Sequence, residues 1–519
     1  MSNSAAGPFG FLHKENIVAP DGFNRWRVPP ASIAIHLCIG SVYAWSVFNP
    51  PLTRELGVVA SAAGDWSLSS VVWIFSVAIV VLGLTAAVGG KWLEKVGPRY
   101  VGVVAAALWG GGFLIGSLGI ASHQLWLVYL GYGVFGGAGL GLGYVSPVST
   151  LIRWFPDRRG MATGMAIMGF GGGAMIGAPL NQWLLSIYQK APDFIGAESA
   201  VTLITEGGRR FAETAAGKVE VVVASAQQAA PFGGEAGVYA VGTGNTGAGA
   251  TFLTLGIVYF CVMIVASFQY RVPSKGWRPA GWTPKPSTKG MVTENHVHID
   301  QAMKTPQFWL LWVVLCFNVT AGIGVIGVAK TMINEIFGDL ALVTAAFAGT
   351  YVLMISVFNM VGRFFWASTS DFIGRKNTYH CFFIIGTILY CTIPFWAASG
   401  GITALIGFYI ATMIIFTMYG GGFATIPAYL ADIFGTMHVG GIHGRLLTAW
   451  SAAGVLGPFA ITYLRKLSKE NAIVDLANKV DPSAFAEKFG APVAQLSELV
   501  SANTVTIARL MEIAPAGTA

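Results

Sequence analysis

The stretch Ser370-Asp371-Phe372-Ile373-Gly374-Arg375-Lys376 stands 277 positions after Leu93-Glu94-Lys95-Val96-Gly97-Pro98-Arg99. Each heptad follows a long apolar run and sets an acid, then a glycine, then cations. An acid that can cap or pair, a glycine that can bend and cations that stay out of hydrocarbon suit a tight turn at a membrane face. Two further landmarks keep the spacing. Gly141-Leu142-Gly143-Tyr144-Val145-Ser146-Pro147 answers Gly421-Gly422-Phe423-Ala424-Thr425-Ile426-Pro427, 280 positions on, and Gly177-Ala178-Pro179 answers Gly457-Pro458, again about 280 positions on. Three landmarks in one order and spacing mark the chain as two copies of one unit.

The unit is helical and built for lipid. Of 519 residues, 54% are hydrophobic and 11% charged, against about one quarter charged in soluble domains. A bilayer core about 30 Å thick needs about 20 apolar residues per helix. Eleven such windows occur, at roughly 30 to 52, 67 to 90, 99 to 121, 125 to 152, 161 to 187, 250 to 270, 308 to 329, 342 to 368, 377 to 398, 402 to 431 and 445 to 464. The mostly polar segment 1–29 lacks the layout of a cleaved signal, so the first window stays in the protein.

Lys and Arg fix the expected orientation. Lys14, Arg25 and Arg27 precede the first window, Lys91, Lys95 and Arg99 follow the second, and Arg153, Arg158 and Arg159 follow the fourth. Arg271, Lys275, Arg278, Lys285, Lys289 and Lys304 follow the sixth, and Arg375 and Lys376 the eighth. All fall on one side, which is read as cytoplasmic. The net charge of +7 is then topological bias and no nucleic-acid footprint. The cysteines, Cys38, Cys261, Cys316, Cys381 and Cys391, lie in or at the edges of apolar windows and show neither a disulfide framework nor metal-ligand spacing. No cofactor or metal site is expected.

The heptads resemble the signature loop of the major facilitator superfamily, Gly-x-x-x-Asp-x-x-Gly-Arg-Lys/Arg, found between the second and third helices of each half. The second copy departs from it at Ala367; the first has Glu94 for Asp and Pro98 for a cation. The resemblance implies an all-α integral membrane fold of two six-helix bundles around a central cavity. It makes Glu94, Gly97, Arg99, Asp371, Gly374, Arg375 and Lys376 parts of cytoplasmic gating loops. The expected domains are a cytoplasmic segment 1–29, an N-terminal bundle 30–270 with an external insertion 190–248, a cytoplasmic loop 271–306, a C-terminal bundle 307–465 and an external polar segment 466–519. No twelfth window follows, and a missing C-terminal helix is expected, with a natural eleven-span chain as the other reading.

Chemistry is sought where the repeat fails. An ionisable side chain deep in an apolar span costs a few kcal/mol and is a functional candidate by default. Arg363 lies eight residues before Asp371, about 12 Å up the axis at 1.5 Å per residue; its repeat equivalent is Ala86. A scaffold cation would recur in both halves. The guanidinium suits bidentate capture of a carboxylate, and Asn359, four residues earlier, shares its helix face. Snorkelling to the interface, or pairing with a local acid, is the competing reading.

Around Arg363 the wording narrows. Gly40-Ser41-Val42-Tyr43-Ala44-Trp45-Ser46-Val47-Phe48, the run Gly420 to Leu430, and Thr448-Ala449-Trp450 resemble the oxalate/formate antiporter family, itself related to the monocarboxylate transporters. That resemblance implies that Arg363 binds a substrate carboxylate. Monocarboxylate transporters carry Asp where Asn359 stands and a Lys where Val47 stands, so proton coupling through those two groups is not implied. The oxalate exchanger carries a Lys in its eleventh helix, where Trp450 stands here. One cation favours a monocarboxylate over oxalate.

Tyr43 and Tyr144 are candidate hydrogen-bond donors to the substrate, and Phe170 and Trp450, related by the repeat, candidate apolar walls; each aromatic alone is also consistent with lipid contact or core packing. His36 is a candidate carrier of a coupled proton, against a plain hydrogen bond between helices. Lys330 is a weaker candidate at the outer mouth. Glycine runs Gly171 to Gly173 and Gly420 to Gly422 read as close helix contacts.

The sequence thus predicts a secondary transporter of small carboxylates such as formate, lactate or pyruvate, working by alternating access as a monomer in the membrane of a prokaryotic cell, with its N-terminus cytoplasmic. Its partners are the carboxylate anions and membrane lipids. Oxalate/formate exchange and a transporter-like carboxylate sensor are the alternatives. No nucleophile and base, phosphate loop or metal constellation suggests an enzyme.

Overall fold

A computed structural model describes residues 9–155, 159–214, 217–274, 276–282, 296–435, 438–502 and 504–515, without the side chains of residues 152, 159–163 and 371. Arg158, Lys275, Lys285 and Lys289 therefore lie outside the described residues, as do the side chains of Arg159 and Asp371. The chain divides into two compact units, Met1–Asn49 with Val72–Trp183 and Gly249–Pro458, and Pro50–Val71 with Leu184–Ala248 and Phe459–Ala519.

Long helices build the first unit. They are α1 (Val28–Gly40), which tightens into a 3-10 stretch Ser41–Val47, α2 (Leu68–Val96) and α3 (Pro98–Ala121). Next comes α4, which begins at Leu125–Val128, passes through a π-helical stretch Tyr129–Gly136 and ends as Gly137–Trp154. Then follow α5 (Arg159–Tyr188), α6 (Ala248–Phe268), α7 (Pro306–Phe337), α8 (Ala345–Ile373), α9 (Arg375–Ser399) and α10 (Gly401–Phe434). A short α11 (Val439–Leu446) leads into α12 (Thr448–Ala477), the two together forming the last span. Proline starts α1, α3 and α7, where its missing N–H is harmless, and Thr305 and Thr344 cap α7 and α8.

Among the described residues ten helical segments are long and apolar enough to cross a membrane. The remaining expected span corresponds to α5, which is 30 residues long and whose first residues, 159–163, have side chains outside the described set. Phe383, Ile384, Ile388 and Phe395 of α9 are exposed, an arrangement at home in lipid and a liability in water.

The repeat is visible in the backbone. Gly97 and Gly374, which join α2 to α3 and α8 to α9, adopt φ of +97° and +87°, conformations that favour glycine. Arg99 donates to the carbonyls of Phe268 (2.9 Å) and Tyr270 (3.1 Å), so it caps the C-terminal end of α6. Lys14 donates to the Glu94 carbonyl. Arg375 meets Asp432 at 3.5 Å and donates to Ser370 Oγ, while Lys376 is exposed.

The second unit departs from an all-helical reading. Residues expected only as a polar insertion form a five-stranded antiparallel sheet of β1 (Phe194–Gly196), β2 (Leu203–Glu206), β3 (Arg209–Thr214), β4 (Gly217–Ala224) and β5 (Gly237–Ala240), in the order β1-β5-β4-β3-β2. Alternation along β4 divides two apolar clusters. Val221 packs with Ala212 and Val238, whereas Val222 and Ala224 pack with Val59, Ala229 and Tyr239. The loop 53–67 is held by Asp65, whose carboxylate accepts from the N–H groups of Leu56, Gly57 and Ala62. Nor is the C-terminal stretch featureless. Beyond Phe459, α12 continues to Ala477, and α13 (Pro482–Phe489), α14 (Leu496–Ser501) and α15 (Ile507–Met511) follow. They enclose a core of Ile473, Phe485, Phe489, Val505 and Leu510.

Candidate functional site

Arg363 sits on α8 and is 1% exposed, so it neither snorkels nor reaches water. Its Nε donates to Asn359 Oδ1 at 3.0 Å, one helical turn away. Both terminal nitrogens, NH1 and NH2, are buried without a hydrogen-bond partner, and no described carboxylate pairs with the group. An unanswered buried cation costs several kcal/mol. The space it occupies exists because Gly171 of α5 has no side chain: a Cβ there would fall 2.7 Å from Arg363 Nε.

An aromatic cage surrounds the guanidinium. It lies over the Phe423 ring, 5.2 Å from the centroid, a cation–π contact worth up to ~2 kcal/mol when desolvated. Phe423 meets Trp450 at 4.7 Å, Trp450 meets Phe170 at 5.4 Å, and Phe170 meets Tyr43 at 5.2 Å and Tyr144 at 5.5 Å. The hydroxyls of Tyr43 and Tyr144 lie near Arg363. Tyr43 bonds the Tyr419 hydroxyl at 2.8 Å, joining α1 to α10. Tyr144 Oη, Asn359 Nδ2 and Trp450 Nε1 are each buried and unpartnered. Two glycines let the walls close. Gly173 of α5 approaches Gly40 of α1, and Gly420 of α10 approaches Asn359 of α8, so tightly that a Cβ at either would fall 2.2 Å from the facing backbone.

The structure brings Arg363, Asn359, Tyr43, Tyr144, Phe170 and Trp450 together. His36 stands at the edge. Its ring is 5.4 Å from that of Tyr144, but Nδ1 meets the Ala166 carbonyl and Nε2 the Tyr144 carbonyl at 3.2 Å, tying α1 to α5 and α4. Lys330 is buried in α7 and belongs to no part of the cage described here. The repeat equivalent Ala86 has a different neighbour: a Cβ on Gly444 would fall 2.9 Å from its carbonyl oxygen, so α11 occupies the approach.

Sequence reasoning missed Tyr419, Phe423 and His443. Tyr419 and Phe423 are one turn apart on α10, and their repeat equivalents are Gly139 and Gly143. The asymmetry that singles out Arg363 also marks them. His443 of α11 is 5% exposed, with Nε2 unpartnered and its ring 6.4 Å from that of Tyr144; nothing in its sequence context distinguishes it from an interfacial residue.

The enclosure therefore presents one buried cation, a set of unanswered N–H and O–H donors and apolar walls. It is suited to hold a small anion with a planar, two-oxygen head.

The Major Facilitator Superfamily model matches residues 31–196. The oxalate:formate antiporter of Oxalobacter formigenes is 26% identical over 438 residues, 84% of this chain and 83% of that protein. Monocarboxylate transporter 13 of Rattus norvegicus is 34% identical over 170 residues, 33% of this chain and 37% of that one. Among solved structures, the D-xylose-proton symporter superposes with a TM-score of 0.52 at 14% identity, covering 94% of this chain and 98% of that one. That likeness shows the fold alone, while the antiporter match runs over most of both chains and the transporter 13 match over about a third of each. The chain is a multi-pass membrane protein that resembles the major facilitator superfamily over residues 31–196 and the oxalate:formate antiporter over most of its length.

Proposed function

We propose that the chain carries small monocarboxylates, such as formate, lactate or pyruvate, across the cell membrane by alternating access, with its N-terminus cytoplasmic. The observation that carries this reading is the pair of buried, unpartnered terminal nitrogens on Arg363. A carboxylate lying against NH1 and NH2 makes two parallel charge-assisted hydrogen bonds and supplies the missing counter-charge. Asn359 contributes through Nδ2, because its oxygen is already committed to Nε. Tyr144 adds a hydroxyl donor. Phe170, Trp450 and Phe423 enclose the remainder of the ligand and limit its size.

Exchange of oxalate for formate, suggested by the bacterial relative, calls for a second positive charge. Among the described residues in contact with the cage aromatics, Arg363 is the one Lys or Arg. A dianion would leave one charge unbalanced in a low-dielectric site.

Every cage residue is buried, so the conformer shown is closed. Opening must part the halves at Tyr43 and Tyr419, at Asn49, which donates to the Gly327 carbonyl at 2.8 Å, and at Ser451, which donates to the Val80 carbonyl at 3.0 Å. The gating loops around Gly97 and Gly374 would act as stiff corners in that movement. The test is counterflow in proteoliposomes loaded with unlabelled formate, lactate or pyruvate and supplied with trace label. Uptake competed by monocarboxylates and spared by oxalate supports the reading; competition by oxalate at equal or lower concentration reverses the substrate assignment.

A further inference from the structure

Away from the cage, a cleft of about 520 Å³ opens where α2 nears its end and α7 begins. Ala87, Val88 and Lys91 of α2 line one side, Phe308 and Trp309 of α7 the other, and Arg445 of α11 its inner end. The helix α2 belongs to the first copy of the repeat and α7 and α11 to the second, so the cleft lies across the seam between the copies. Its Trp309 wall is held in place, because the indole N–H donates to the Met303 carbonyl at 2.8 Å.

The cleft is basic. Lys91 and Arg445 both line it, and among the described residues no acid does. Asp300, just outside, has one carboxylate oxygen 2.7 Å from Arg445 and 4.0 Å from Lys91. The first contact is a charge-assisted hydrogen bond, and the second is beyond hydrogen-bond reach. Two cations against one acid leave one positive charge unanswered.

Toward the membrane the cleft runs out onto apolar side chains. Val88 and Leu84 stand one and two turns back from Lys91 on α2, and Trp309, Val313 and Phe317 recur every fourth residue along α7; all five are exposed. Such spacings keep each set on one helix face. At 1.5 Å per residue the two stripes run about 10 and 12 Å from the cleft, most of the half-thickness of a bilayer core about 30 Å deep. A soluble anion makes no use of such stripes. An acyl chain does, and a basic recess between spans suits an acidic headgroup.

We propose that this cleft is a binding site for an anionic phospholipid, with the headgroup phosphate against Lys91 and Arg445 and the acyl chains along the exposed stripes of α2 and α7. The single negative charge of the phosphate answers the spare positive one. Arg445 keeps its bond to Asp300 and has further N–H groups to turn to the phosphate. A choline headgroup carries its own cation, which the two basic side chains repel. Because Lys91 and Arg445 come from different copies of the repeat, the headgroup ties the copies together at this end. The inference does not depend on what Arg363 binds.

The test is a titration of the protein, purified in a neutral detergent, with phosphatidylglycerol, with phosphatidylcholine of the same acyl chains, and with water-soluble glycerol phosphate. Native mass spectrometry counts bound lipid, and the melting temperature is read in parallel. The wild type is expected to bind phosphatidylglycerol at least about fivefold more tightly than phosphatidylcholine and to melt higher with it. Lys91→Gln, at an exposed position, is expected to lose about fivefold of that affinity. Lys95→Gln, also exposed on α2 but outside the cleft, is expected to stay within about twofold of wild type. Equal affinity for the two lipids overturns the proposal, as does unchanged phosphatidylglycerol affinity in Lys91→Gln. Equal losses in Lys91→Gln and Lys95→Gln also overturn it, reducing the effect to diffuse attraction at a basic surface. Stabilisation by glycerol phosphate that matches that by phosphatidylglycerol overturns the lipid assignment and gives the cleft to a soluble phosphate.

Discussion

Phe170 and Trp450, 280 positions apart in the sequence, meet edge to face with ring centroids 5.4 Å apart and planes at 76°. The duplicated unit thus closes on itself at the cage, with one ring of the pair from each half, while Arg363 has only Ala86 as its counterpart. Symmetric positions supply walls, and the asymmetric one supplies charge. Trp450→Phe keeps an aromatic wall but shortens it. The variant is expected to retain counterflow of formate and to gain at least threefold in relative affinity for four- and five-carbon monocarboxylates, read by competition against labelled lactate. Unchanged size preference would move Trp450 out of the cavity wall.

Asn359→Asp offers Arg363 an internal carboxylate, 3.0 Å away in the present geometry. An internal partner competes with the substrate. At pH 8 the apparent affinity for lactate is expected to fall at least tenfold, about 1.4 kcal/mol, and to recover partly at pH 5 as the new acid takes a proton. Concentration dependence of counterflow at the two pH values measures it; affinity equal to wild type at pH 8 would show that the Asn359 side chain does not border the bound anion.

Much of this was legible because the relevant signals are periodic or are breaks in a period. Twenty-residue apolar windows mark spans, and the 277-residue offset marks the duplication and isolates Arg363. Glycine at Gly97 and Gly374 foretold turns that both adopt positive φ. The sheet was hidden. Its longest strand, Gly217–Ala224, alternates only partly, and its pairing partners lie in short runs broken by glycine and charge. Register and long-range pairing carry those strands, and neither is a local property. The length of α12 was missed because the helix continues past its apolar window into polar residues. Tyr419 and Phe423 were missed because aromatic residues in apolar helices are common, and only comparison with Gly139 and Gly143 distinguishes them.

Tyr43→Phe removes the 2.8 Å hydroxyl pair that bridges α1 and α10. A buried hydrogen bond contributes about 1 kcal/mol net, so the closed conformer is expected to lose roughly fivefold in population relative to open ones. Distances between spin labels on α2 and α8, measured by pulsed electron resonance without substrate, check this. A distribution identical to that of wild type would leave the Tyr43–Tyr419 bond with no part in closure.

Glu55, in the second unit, has its carboxyl pushed up to about 7, chiefly by burial, with the nearby Asp65 adding to the rise and hydrogen bonds from Thr246 opposing it. In the unfolded chain the group titrates near 4.3. Between the two values the folded unit holds a proton that the unfolded chain gives up. The stabilising contribution is complete below about pH 4.3, falls as pH rises through about 7, and is gone above. Amides of β5 are expected to be better protected from hydrogen exchange at pH 5.5 than at pH 8 after correction for intrinsic rates. Glu55→Gln should abolish the difference, and a difference that survives the substitution would assign the pH dependence to another group.

Arg363→Gln and the wild type, purified and compared by thermal unfolding with and without lactate or formate, test the central claim most directly. Ligand that binds only the native state raises its melting temperature, and removing an unpaired buried charge relieves a cost. The account predicts that the ligand-free variant melts at or above the wild-type temperature and shows no shift with carboxylate, while the wild type shifts upward with ligand. A variant that still shifts with carboxylate, or that melts several degrees lower without ligand, would contradict the assignment of Arg363 as the carboxylate-binding cation.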